Sequence, residues 1–196
     1  MRTINIKSKS SLKTAISVLK RGGVIIFPTD TVYGIGCILN PNSIKKLYQI
    51  KNRPLTQPTA VLISEALYHS EDLYHKIRSS AKCGIADKIL KQSPKGKITV
   101  VMGTKYFKIK FPKILLKDNK IGFRIPDDKW LEKLIDKVGP IVASSANKAG
   151  ERPPKKFSEI DKQIIKEADL TVKTKEILSG KPSAVYDLEK GIFVRP

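Results

Sequence analysis

Short apolar runs, each cut off by a proline or by small polar residues, recur along this chain and restrict its fold more than any other feature. Residues 24–27 (VIIF) stop at Pro28, residues 121–125 (IGFRI) stop at Pro126, and residues 141–143 (IVA) run straight into Ser144 and Ser145. Apolar stretches of four to five residues have the length of buried strands, whereas a bilayer-spanning helix needs about 20. Between them, apolar residues return at helical spacing: Leu12, Ala15, Ile16 and Leu19, then Ile44, Leu47 and Tyr48, then Leu131, Leu134, Ile135 and Val138. Strands interleaved with amphipathic helices predict an α/β (α+β) fold with a mixed sheet. A chain of 196 residues with no repeat, linker or shift in composition reads as one domain, residues 1–196.

Local signals set expectations for single elements. Residues 3–7 alternate like a short strand, and Ser10 or Ser11 caps the helix that Gly22 and Gly23 end. The stretch TDTVYGIG reads as a glycine-containing loop. Asn42 caps a second helix running to about Lys51, which must stop before Pro54. Residues 59–63 form a strand, residues 64–92 two or three helical pieces, and residues 93–96 a turn. Residues 98–102 read as a strand, and residues 106–111 alternate like an exposed one. Asp127 or Asp128 caps the helix closed by Gly139 and Pro140, and Ser158 caps another over Ile160, Ile164 and Ile165. Residues 184–188 and 192–195 close the chain as a hairpin around Glu189, Lys190 and Gly191.

Lys and Arg number 38 against 18 Asp and Glu, a formal charge of +20. That balance points to an anionic partner without naming one. Of the cations, 31 are Lys and 7 are Arg, spread evenly, so much of the charge reads as a solvated background. The scarce arginines, whose forks grip phosphate and carboxylate, are the more informative. Cys37 and Cys83 form no CxxC pair, which argues against a disulfide framework or structural zinc. The N-terminus lacks the apolar core of a signal peptide, so a soluble cytoplasmic protein is expected, with no membrane partner.

Three polar segments follow apolar strands, where ligands of α/β sheets bind. Residues 28–36 offer hydroxyls, Asp30, Tyr33 and two glycines, but also read as a turn capped by Asp30 or Thr31. Lys51 and Arg53 suit a di- or triphosphate, or merely offset a helix C-terminus. Ser144, Ser145 and Asn147 are good ligands for phosphate, ribose or carboxylate. A serine nucleophile is a poor reading, since His69 and His75 both fall in a predicted surface helix and no GxSxG elbow exists. P-loop, GxGxxG and zinc-site templates are absent.

Together, GGVIIFPTDTVYGIGC, YQIKNRP, IGFRIPD and IVASSANKAG resemble the TsaC/YrdC family of L-threonylcarbamoyladenylate synthases, in order and spacing from about residue 16 to Arg195. The family's Lys-x-Arg and Ser-x-Asn signatures appear as Lys51-x-Arg53 and Ser145-x-Asn147. The resemblance implies a YrdC-like domain: a twisted mixed sheet with one concave basic cleft. It also implies condensation of L-threonine, bicarbonate and ATP into threonylcarbamoyl-AMP with release of pyrophosphate, Mg²⁺ accompanying ATP. A threonylcarbamoyl transferase complex then modifies tRNA beside the anticodon, and weak direct tRNA binding is conceivable from the charge. By the same resemblance, Lys51 and Arg53 hold phosphates and are the catalytic pair, while Ser145, Asn147 and Arg195 bind the nucleotide. Thr29, Arg124, Ser144 and Ser183 bind threonine, and no residue is implied as a resident metal ligand.

The chain departs from the family in places. Residues 92–97 (QSPKGK) replace a tryptophan-proline-glycine-proline stretch, Leu62 stands where some members have a threonine-contacting histidine, and residues 181–184 are atypical. The rival readings are a non-catalytic double-stranded RNA or tRNA-binding module of the same fold, and the related domain of carbamoyl-transferring maturation proteins. The sparse aromatics argue against the first. The isolated cysteines and short chain argue against the second.

Overall fold

The computed structural model describes residues 2–70 and 81–196, with the side chains of residues 81–83 left aside. The part of the expected helical pieces of residues 64–92 that falls on residues 71–80, and His75 with it, lies outside the described residues. Ten strands among those described form one mixed sheet. They are β1 (Thr3–Asn5), β2 (Ile25–Pro28), β3 (Tyr33–Ile38), β4 (Val61–Leu62), β5 (Ile98–Gly103), β6 (Lys120–Arg124), β7 (Ile141–Ser145), β8 (Leu170–Lys173), β9 (Ala184–Asp187) and β10 (Ile192–Arg195). The order across the sheet is β1-β8-β2-β3-β7-β4-β6-β5-β9-β10. The β1–β8, β8–β2, β4–β6 and β5–β9 pairs are parallel and the others antiparallel.

Six α-helices among the described residues accompany it: α1 (Ser11–Lys20), α2 (Pro41–Ile50), α3 (Glu65–His69), α4 (Ala81–Gln92), α5 (Lys129–Val138) and α6 (Lys162–Glu167). Strand alternation divides the core in two. Ile25 and Phe27 join Leu131, Leu134 and Ile135 of α5 and Leu19 of α1 on one face. Val24 and Ile26 join Ile44, Leu47 and Tyr48 of α2 and Ile164 of α6 on the other. Close approach of β3 to β7 needs Gly36, where an added Cβ would lie 2.6 Å from the Val142 carbonyl oxygen.

Helix chemistry is partly as expected. Asp128 caps α5 by accepting from the Leu131 N–H at 2.7 Å, and Gly139, at φ +82°, ends it. Asn40, not Asn42, caps α2, accepting from the Asn42 and Ser43 N–H groups, because Pro41 takes the first helical position. Ser10 occupies the N-cap position of α1 but makes no side-chain capping bond, and the Ser11 hydroxyl donates to the Ile6 carbonyl. Asp161, not Ser158, caps α6, since residues 157–159 form a separate 3-10 turn.

Three strand readings change. The second half of TDTVYGIG, from Tyr33, is strand β3, which pairs on both sides, with β2 and β7. Strand β8 was not expected at all. Residues 106–111 form no strand, because β5 is already paired by β6 and β9 and offers no free edge. Tyr106 and Phe107 are buried side by side in the core instead of alternating.

Candidate active site

On the face that carries α1 and α5, a cleft of about 540 Å³ opens over the sheet. Its floor is made of small side chains, Gly34, Ala60, Gly122 and Ala143, where larger residues would fill the space. Six cations line it, Arg53, Lys117, Lys120, Arg124, Lys190 and Arg195, against two carboxylates, Asp118 and Asp187. Asp187 is occupied by the Lys120 ammonium at 2.9 Å and by the backbone N–H groups of Glu189 and Lys190. The imbalance makes the cleft a site for anions.

Arg124, at the carboxyl end of β6, is 8% exposed. Its Nη2 donates to Asp30 Oδ1 at 2.5 Å and to the Thr31 hydroxyl at 3.1 Å. Its Nε is buried without a hydrogen-bond partner. Burial draws the guanidinium pKa down while Asp30 pulls it back, so the side chain stays cationic. A buried donor left unsatisfied costs about 1–3 kcal/mol.

Thr29 also lines the cleft, but its hydroxyl is engaged locally. It donates to the Val32 carbonyl at 2.7 Å, accepts from the Thr31 and Val32 N–H groups, and meets the Thr31 hydroxyl at 3.0 Å. Ser145 stands opposite Gly34 across the β3–β7 pair, on the cleft face, while Ser144 stands opposite Ile35. Both serines line the cleft. Ser183 shares a hydrogen bond with Thr99 at 2.9 Å, and Arg195 donates twice to the Ser183 carbonyl, tying β10 to the segment before β9. Leu62 lies on the floor as a buried apolar residue. Arg53 donates to the Gln57 and Pro58 carbonyls and sits over the Tyr48 ring.

Lys51 and Asn147 do not line the cleft; they lie behind its wall. Lys51 is the C-cap of α2 and 1% exposed. Its ammonium donates to the carbonyls of Ser145 and Asn147, and its own carbonyl accepts from the Ala149 N–H. Asn147 in turn donates to the Lys148 and Glu151 carbonyls. The Lys-x-Arg and Ser-x-Asn segments are therefore joined, but through backbone carbonyls. Sequence reasoning missed Lys117 and Lys120. They flank the Asp118–Asn119 turn, both of whose residues have positive φ, and that turn dipeptide was the available signal.

Burial, and then the Arg53 charge, lower the Lys51 pKa to about 8. The unfolded chain holds this proton up to about pH 10.4, so stability must rise as pH climbs from about 8 toward that value. A neutral amine still has two N–H donors for the two carbonyls, so the clamp survives while the cost of a buried charge disappears. The expected gain is at most about 3 kcal/mol. Denaturant unfolding from pH 7 to 10 should show it in the wild type and not in Lys51→Met; equal pH slopes in both proteins would refute it.

Over residues 17–196 the chain matches the family described as Telomere recombination, the Sua5/YciO/YrdC group. The chain belongs to this family. Among its relatives is a candidate threonylcarbamoyl-AMP synthase of Methanocaldococcus jannaschii, 31% identical over 182 residues that cover 90% of this chain and 82% of that protein. The threonylcarbamoyl-AMP synthase of Bacillus subtilis is 30% identical over 173 residues, 87% of this chain and 46% of that one. The crystal structure of Pyrococcus abyssi Sua5 complexed with L-threonine superimposes with a TM-score of 0.80 at 26% identity, covering 96% of this chain. The chain spans about 55% of the length of that Sua5 protein. No helix among the described residues is long and apolar enough to cross a membrane, and none of their His, Cys, Asp and Glu side chains gather in a metal-holding group of three or more.

Proposed function

We propose that this protein is an L-threonylcarbamoyladenylate synthase. The observation that carries the reading is Arg124, a guanidinium held by Asp30 and Thr31 in the lining of a cleft that five further cations share. That arrangement suits a small carboxylate held beside a polyphosphate.

The threonine amine and bicarbonate condense to a carbamate with loss of water. A carbamate oxygen then attacks the α-phosphorus of ATP, the bond to the bridging α,β-oxygen breaks, and pyrophosphate leaves. Catalysis of this kind rests on alignment and charge neutralisation. Arg124 orients threonine by its carboxylate, with Thr29, Ser144 and Ser183 forming the adjoining wall. Arg53, Arg195 and Ser145 contact the nucleotide and its phosphates, supported by Lys120. Lys51 and Asn147 serve the nucleotide side by fixing the backbone that carries Ser145. Mg²⁺ enters as part of the ATP substrate, its ligands drawn mainly from phosphates and water. The product passes to a threonylcarbamoyl transferase complex that modifies tRNA in the cytoplasm, and the scattered lysines supply weak attraction for tRNA.

Arg53→Ala should lower pyrophosphate release by at least about tenfold, or 1.4 kcal/mol. Unchanged turnover in a continuous pyrophosphate assay would remove Arg53 from the phosphate site. A non-catalytic RNA-binding module is the weaker reading, because Phe193 is the one large exposed aromatic among the described residues and base-stacking platforms need several.

A further inference from the structure

Arg124 is held from one side by a small assembly of Asp30 and Lys97. Asp30 accepts its Nη2 at 2.5 Å, and the Asp30 side chain is only 6% exposed. Behind Asp30 stands Lys97, whose ammonium donates to the Asp30 carbonyl at 2.8 Å and approaches its carboxylate at 3.4 Å. Lys97 follows the turn over residues 93–96, the stretch in which this chain departs from its family. The turn is pressed against the carboxylate: an added Cβ on Gly96, which has φ +72°, would lie 2.2 Å from Asp30 Oδ2. Asp30 is thus walled in and has no room to swing away when a ligand arrives.

We propose that Asp30, backed by Lys97, is a positioning residue that pins the Arg124 guanidinium through Nη2 and so presents its remaining N–H donors to the cleft as a preformed seat for a carboxylate. The inference rests on the reading that Arg124 receives the carboxylate of threonine. Charge supports it. Asp30 alone would neutralise Arg124, but Lys97 offsets Asp30, and the trio keeps one net positive charge for the ligand. A side chain already ordered on Asp30 and Thr31 loses little further freedom on binding, which raises affinity without a new contact. The incoming carboxylate joins Asp30 on the guanidinium; it does not displace it.

The test is calorimetric binding of L-threonine and of ATP, measured separately on the full chain. Asp30→Asn keeps the shape and removes the charge. It should weaken threonine binding by about tenfold or more and change ATP binding by less than about twofold. Lys97→Met, at a half-exposed position that the core does not need, should shift threonine binding in the same direction by about threefold. Arg124→Lys is the reference for the underlying reading. If Arg124→Lys weakens threonine binding selectively and neither Asp30→Asn nor Lys97→Met does, the positioning role falls and the reading of Arg124 stands. If Arg124→Lys has no selective effect, or the wild type binds no threonine, both fall. Equal losses for threonine and ATP in Asp30→Asn would mark a merely structural role and overturn the proposal. Should Asp30→Asn fail to fold, Lys97→Met decides alone.

Discussion

Arg124→Lys should raise the threonine KM by about 100-fold, or 2.7 kcal/mol of binding, and the ATP KM by less than about threefold. A lysine at this position keeps a positive charge for Asp30, so the buried pair is not broken and the fold survives. It loses the planar fork and the guanidinium donors that Asp30 and Thr31 do not use. A point ammonium engaged by Asp30 and Thr31 keeps a single N–H and cannot grip a carboxylate bidentately. Steady-state kinetics with each substrate varied in turn separates the outcomes. Equal effects on both substrates would contradict the assignment of Arg124 to threonine.

Lys51→Met should act first on stability. Methionine fills nearly the same space, but the carbonyls of Ser145 and Asn147 lose the buried ammonium that both accept from. Each unsatisfied acceptor costs about 1–3 kcal/mol, and relief of the buried charge returns part of it. A net loss of about 3 kcal/mol lowers Tm by roughly 6–12 °C in a chain of this size. Pyrophosphate release should fall as well, because Ser145 sits on the same strand end and lines the cleft. A normal melting temperature combined with lost activity would show instead that Lys51 meets the phosphates directly. A scanning-calorimetry trace beside the kinetics distinguishes the two roles.

Elements with strong local chemistry were legible before any coordinates. Helix α5 carries its aspartate cap and its terminal glycine in the sequence, and the closing hairpin carries its Glu-Lys-Gly turn. Elements made by tertiary pairing were not. Strand β3 contains Gly34 and Gly36, which by propensity read as loop; Gly34 leaves the cleft its depth and Gly36 lets β7 approach closely. Strand β8 is four residues long, too short for any period to declare itself. Residues 106–111 alternate in hydropathy, but β5 beside them has no free edge to join.

The site divides in the same way. Motif order brought Arg53, Arg124, Ser145, Ser183 and Arg195 to one cleft. It did not reveal that Lys51 is spent on two carbonyls, because a helix-end lysine looks the same whether it faces a ligand or its own backbone. Nor did it reveal Lys117 and Lys120, which the Asp118–Asn119 turn carries to the rim, or the support of Arg124 by Asp30 and Lys97. Those depend on contacts between segments tens of residues apart.

The most direct measurement is conversion of ATP to threonylcarbamoyl-AMP and pyrophosphate by the purified chain, with L-threonine and bicarbonate each present or omitted. The account predicts pyrophosphate release and the adenylate product only when both are supplied. ATP cleavage indifferent to threonine, or none at all alongside tight RNA binding that weakens steeply between about 50 and 200 mM salt, would contradict it.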